Sequence, residues 1–135
     1  MNTLSYNSIA GKAPEIIEDV MALPVVAEQA ALEFTLRLVL EELVVNVVNY
    51  AYGEGGDGPL DITVENRDDA IVITLTDQGV PFNPLEQEAP DTDLPPEERP
   101  IGGLGIFLVR EMMDNVSYRY EDGHNILTVG KGLKV

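Results

Sequence analysis

Between Leu36 and Tyr52 the chain is apolar enough to be the central helix of its fold, yet it carries one acid and two amides along a narrow line. At about 100° per residue, Asn46 falls about 40° and Asn49 about 20° from Glu42. Leu40, Leu43, Val44, Val45, Val47 and Val48 cover most of the remaining cylinder. Such a helix is expected to be buried nearly all round. A carboxylate and two amides held inside it are costly unless hydrogen-bonded or bound to a ligand. Glu41 lies about 100° away and can reach solvent, so it is the less informative acid. The seam contains neither lysine nor arginine, which sets it apart from an ordinary solvated stripe. An asparagine carbonyl oxygen is a hard, neutral ligand suited to Mg²⁺. A carboxylate one turn earlier can accept a proton from an attacking hydroxyl or water.

Charge limits how such a site could bind an anion. The 135 residues include 24 acidic and 8 basic side chains, a formal net charge of −16. A surface this acidic repels nucleic-acid phosphates and anionic lipid and favours a basic patch on a protein partner. A nucleotide would have to be held by a divalent metal, backbone N–H groups and a helix N-terminus rather than by a lysine cluster. With no cysteine there is no disulfide framework, thiolate catalysis or Cys-ligated metal. No apolar run reaches bilayer length and no basic-then-apolar leader opens the chain. A cytoplasmic protein without a nucleic-acid or membrane partner is therefore expected. A hydrophobic content of 44% supports one folded domain over residues 1–135.

The patterning orders the elements. Leu4–Ser8 is a weak edge strand. Pro14 opens a helix running to about Leu23, with Ile16, Ile17, Val20 and Leu23 on one face, and Pro24 ends it. A second helical stretch is expected from Val25 to Tyr52, with a break near Leu32. Strands Leu60–Asn66 and Ala70–Asp77 form a hairpin through Arg67-Asp68-Asp69. From Gly79 to Pro100 the chain carries six of its nine prolines and a run of acids, the composition of a lid. A helix Ile106–Met113 and a hairpin of Val116–Tyr120 with Ile126–Val129, turned by Glu121–Asn125, complete the order. This predicts an α+β, two-layer α/β sandwich: a mostly antiparallel mixed sheet with helices on one face.

Two further motifs carry chemistry. Asp77-Gln-Gly79 follows an apolar strand, where an aspartate can accept a hydrogen bond from an exocyclic amine and a glycine admits close approach. By itself it also reads as a plain turn. Gly102, Gly103 and Gly105 precede an apolar helix, where backbone N–H groups and the helix dipole favour phosphate. The spacing is neither the Walker nor the Rossmann pattern.

Together, Glu42-Leu-Val-Val-Asn46, Asp77-Gln-Gly79 and Gly102-Gly-Leu-Gly-Ile106, with a lid before the last, resemble the ordered boxes of the superfamily shared by DNA gyrase, Hsp90, histidine kinases and MutL. The phrases Glu41–Tyr52 and Leu108–Asp114 are similar to the anti-sigma-factor serine kinases. The resemblance implies a Bergerat-type fold binding ATP with Mg²⁺, its lid at about residues 83–104. It makes Glu42 the general base toward a partner's serine, Asn46 the Mg²⁺ ligand and Asp77 the reader of the adenine amine. Gly79 would admit the base, and Gly102, Gly103 and Gly105 would hold the phosphates; Asn49, from the polar seam, is counted with the cofactor-binding residues. Tyr50 stands where many relatives carry a basic residue, which leaves Arg99, in the lid, and Arg110 as candidates for phosphate neutralisation. His124-Asn125 stands where relatives often have Gly-Thr, so Asn125 or Thr128 could take that place. His124 is expected as an exposed turn residue.

The implied partners are a small anti-sigma antagonist as phosphoacceptor and a sigma factor or other response partner, with a homodimer left open. Two alternatives share the fold: a non-catalytic ATP-dependent binding switch, and a detached histidine-kinase-type catalytic domain.

Overall fold

A computed structural model describes residues 2–53, 56–81 and 103–133. In chain order these form β1 (Asn2–Tyr6), α1 (Ala13–Met21), α2 (Pro24–Ala27), a 3₁₀ turn (Ala30–Leu32), α3 (Glu33–Tyr50), β2 (Leu60–Arg67), β3 (Ala70–Asp77), α4 (Gly103–Met112), β4 (Asn115–Glu121) and β5 (His124–Gly132). The strands make one sheet in the order β1-β2-β3-β5-β4, and all four pairings are antiparallel. The helices form a single layer on one face. This is the expected α+β sandwich.

The period of two decides what the sheet buries. Along β3, Ile71, Ile73, Leu75 and Asp77 face the helices, while Val72, Thr74 and Thr76 take the other side. Leu60, Ile62 and Val64 of β2 and Leu127 and Val129 of β5 join the inward set. From the helices, Ile16, Ile17 and Val20 of α1, Leu36, Val39, Leu40, Leu43 and Val44 of α3, and Ile106 and Val109 of α4 complete the core. Each such side chain contributes roughly 1.5–3 kcal/mol on burial.

Four local expectations change. The helical stretch from Val25 to Tyr52 is three pieces, and Pro24 opens the short α2 as well as ending α1. The residue before a proline is driven to extended backbone, and Leu23 has φ −61° and ψ 136°. The break at Leu32 lies where it was expected, and α3 starts at Glu33.

Next, α3 is not buried nearly all round. Phe34 is 77% exposed, and Glu41, Val45, Asn49 and Tyr50 also face outward. A helix in a single layer has the sheet beneath it and neighbours beside it, so its outer side stays open whatever its composition.

Finally, α4 begins at Gly103, three residues before Ile106, so Gly103 and Leu104 of the expected lid are helical. His124 is the first residue of β5, opposite Glu121, rather than part of a five-residue turn. The β4–β5 turn is Asp122-Gly123, with φ of 52° and 80°, and the β2–β3 turn is Asp68-Asp69, with φ of 54° and 62°. Two positive φ values in a two-residue loop match the right-handed twist of paired strands, and Asp and Gly tolerate them.

Candidate functional site

The site forms where the C-terminal end of α3 meets the ends of β3 and β5. Asp77, the last residue of β3, points to the helix-covered face because it continues the inward set of Ile71, Ile73 and Leu75. It is buried, and a buried carboxyl group needs partners. Its Oδ1 accepts the Gly79 N–H at 2.8 Å and the Asn125 side-chain amide at 2.9 Å. Among the described residues no hydrogen bond is made to Oδ2.

The turn after Asp77 is fastened to the end of α3. The Ala51 carbonyl accepts the Val80 N–H at 2.9 Å. The Tyr52 hydroxyl accepts the Gln78 N–H at 2.9 Å and donates to the carbonyl of Pro59. Burial raises the Tyr52 pKa, opposed by the Gln78 N–H and reinforced by the Asp77 charge, so the hydroxyl keeps its proton at neutral pH. Gly79 packs on the Ala51 backbone, where any β-carbon would overlap the Ala51 carbonyl oxygen. The glycine is thus required by the protein's own packing.

Asn46 of α3 and Asp77 line the same cavity. Val47, Ala51, Leu75, Val80 and Leu127 give it mostly apolar walls, and Tyr50, Tyr118 and Asn125 add polar groups. Few polar groups on apolar walls suit a flat heterocycle that presents one edge for recognition. Glu42, one turn before Asn46, is half-buried, as is Asn46. Neither side chain makes a hydrogen bond or ion pair among the described residues.

The other candidate residues are distributed unevenly. Asn49 is exposed and does not line the cavity, whereas Tyr50 does. Gly103 and Gly105 lie in the first turn of α4, where backbone N–H groups lack helical acceptors. Arg110 sits in the last turn of α4 and is exposed. Arg99 and Gly102 lie outside the described residues, as do residues 83–102 of the expected lid. No group of three or more His, Asp or Glu side chains among the described residues could hold a metal by itself. An Asn46 carbonyl together with phosphate oxygens and water remains a suitable donor set for Mg²⁺, which usually keeps such ligands.

Between Asn125 and Thr128, the strand period decides. Asn125 faces inward, directly opposite Asp77 in the ladder. Thr128 faces the other side of the sheet, 3.3 Å from the Thr74 hydroxyl. Sequence reasoning did not single out Tyr118 or Tyr52. The alternation of Val116 and Tyr118 hinted that Tyr118 shares a face with the core, but its partner depends on the β4–β5 register.

A family model described as histidine kinase-like ATPase domain matches residues 10–131. The serine/threonine-protein kinase BtrW of Bordetella bronchiseptica is 29% identical over 100 residues, covering 74% of this chain and 70% of that protein. The serine-protein kinase RsbW of Oceanobacillus iheyensis is 31% identical over 97 residues, covering 68% of this chain and 61% of that one. RsbW of Halalkalibacterium halodurans is 32% identical over 108 residues, with coverage of 73% and 62%. The chain thus spans about three-fifths of the length of these two RsbW proteins. No helix among the described residues is long and apolar enough to cross a membrane.

Proposed function

From the premise that this chain belongs to the histidine kinase-like ATPase domain family, we propose that it is an ATP-dependent protein-serine kinase of the anti-sigma type. The observation that carries the reading is the meeting of Asn46 and Asp77 in one cavity, with Glu42 one turn behind and neither α3 side chain hydrogen-bonded or ion-paired among the described residues. The single domain spans residues 1–135, with a lid over about residues 83–102, ending where α4 begins at Gly103.

The adenine lies between the apolar walls, and its exocyclic amine donates to Asp77. Asn46 would offer its carbonyl oxygen to Mg²⁺ bound with the nucleotide, an ion that would neutralise phosphate charge. Backbone N–H groups of Gly103 and Gly105, with Gly102 and Arg99, serve the phosphates, and Asn49 lies toward the outer edge. This mode suits a chain of net charge −16, which has no lysine among the described residues lining the cavity. Glu42 accepts the proton of a partner's serine hydroxyl as its oxygen bonds to the γ-phosphorus and the bond to the ADP oxygen breaks.

BtrW and RsbW are named as kinases, which supports assigning this activity here. The phosphoacceptor is a small anti-sigma antagonist protein, and the second partner is a sigma factor that the kinase sequesters. Both would present basic surface to this acidic chain in the cytoplasm. A second reading, a nucleotide-dependent binding switch without transfer, is favoured by Tyr50. That phenol lines the cavity at the position where many relatives carry a basic residue.

Phosphate transfer from Mg-ATP to the cognate antagonist, compared between wild type and Glu42→Ala, tests the kinase reading. Transfer by wild type alone, with ATP affinity retained in both, is expected. Equal transfer removes Glu42 from the base role, and tight binding without transfer by wild type supports the switch.

A further inference from the structure

Two side chains at the polar end of the cavity have no part in the chemistry above. Asn125 and Asp77 are cross-strand partners, and Tyr118 reaches Asn125 diagonally from the edge strand β4. The Asn125 amide nitrogen faces three acceptors: Asp77 Oδ1 at 2.9 Å, the Val80 carbonyl at 2.9 Å and the Gly79 carbonyl at 3.4 Å. Its oxygen accepts the Tyr118 hydroxyl. Acceptors on one side and a donor on the other fix which way the amide points.

We propose that Tyr118 and Asn125 are a positioning pair that locks the rotation of the Asp77 carboxyl group and thereby makes the cavity select a base bearing an exocyclic amine over one bearing a ring carbonyl. The inference rests on reading the cavity as the nucleotide site.

The terminal torsion of aspartate is broad and close to two-fold, so packing alone sets the carboxyl plane poorly. Here Oδ1 takes both the Gly79 N–H and the Asn125 amide, which fixes the plane and leaves Oδ2 as the oxygen with no donor among the described residues. An acceptor held in one place rewards an amine and opposes a carbonyl, because acceptor against acceptor leaves both unsatisfied. The side chain at 125 must deliver hydrogens toward Asp77 and Val80 while accepting one from Tyr118. Asparagine does this. A threonine hydroxyl has one hydrogen to give, and an aspartate would set a carboxyl group against three acceptors. The tyrosine hydroxyl orients the amide, and the amide orients the carboxyl group.

The test is calorimetric titration of the whole chain with Mg-ATP and with Mg-ITP, whose base carries a 6-oxo group. Asp77→Asn, Tyr118→Phe and Asn125→Asp are compared with wild type, and the unfolding midpoint of each is recorded. Wild type is expected to prefer ATP, and Asp77→Asn to lose that preference. Tyr118→Phe, which keeps the ring, is expected to narrow the preference by about tenfold, the scale of one hydrogen bond, by weakening ATP while ITP changes less than about twofold. Asn125→Asp is expected to narrow it further, and if that variant does not fold, Tyr118→Phe decides alone. Equal weakening of both nucleotides by Tyr118→Phe would reveal a structural role and overturn the pair. Loss of preference in Asp77→Asn with the ratio intact in Tyr118→Phe would overturn the pair and leave Asp77 as the reader. A wild type that binds ATP and ITP alike would overturn both.

Discussion

Gly79 and Ala51 are in backbone contact: a β-carbon built on Gly79 would lie 2.8 Å from the Ala51 Cα and overlap the Ala51 carbonyl oxygen. This contact joins the two halves of the site, since Ala51 caps the helix that carries Asn46 and Gly79 follows the strand that carries Asp77.

The first prediction concerns that contact. Gly79→Ala must push the turn off the end of α3, because the atoms it meets are backbone and cannot rotate away. A destabilisation of about 1–3 kcal/mol is expected, as for overpacking elsewhere. ATP affinity should fall as well, since Asp77 moves relative to Asn46. Urea unfolding and an ATP titration on the same variant check both, and an unchanged unfolding midpoint would contradict the contact.

A second prediction concerns acid stability. Asp57, in the loop between α3 and β2, accepts the Ser8 hydroxyl and the N–H groups of Ala10, Ile9 and Gly58. These bonds, the Ser8 hydroxyl foremost, lower its pKa from 3.8 to about 2. A carboxyl group whose folded-state pKa is depressed stabilises the fold fully above its unfolded pKa, and the contribution disappears as pH falls through the folded value. The gap in thermal midpoint between wild type and Asp57→Asn should therefore be constant above about pH 4 and shrink toward about pH 2. Melting both proteins across that range measures it, and a gap that stays constant throughout would exclude the linkage.

The third prediction separates the two sides of α3. Leu40 is fully buried and Phe34 is 77% exposed on the same helix. Leu40→Ala should cost about 2–5 kcal/mol through the cavity it leaves. Phe34→Ser should stay within about 0.5 kcal/mol, as surface substitutions do. Chemical denaturation of the two variants distinguishes them, and a comparable loss for Phe34→Ser would mean that its ring is covered.

Asp77 and Asn46 were legible in the chain because each is marked locally. Asp77 ends an apolar strand just before a turn, and Asn46 lies in a polar seam at helical spacing. The choice between Asn125 and Thr128 was not legible, because it depends on which face of β5 meets the helices and how β5 pairs with β3. The roles of Tyr118 and Tyr52 were not legible either, since their partners, Asn125, Gln78 and Pro59, are set by strand register and by the loop after α3.

The sequence by itself determined the element order and the inward faces of the strands, because periods of 3.6 and two are properties of consecutive residues. It also determined the acidic balance of the chain, a formal net charge of −16. The tertiary structure alone decided that α3 is open on its outer side, that Asp77 faces Asn125, and that Gly79 is packed against Ala51. Each of these is a contact between segments far apart in the chain. Local periodicity says which face of an element is buried, and only the packed layers say what it is buried against.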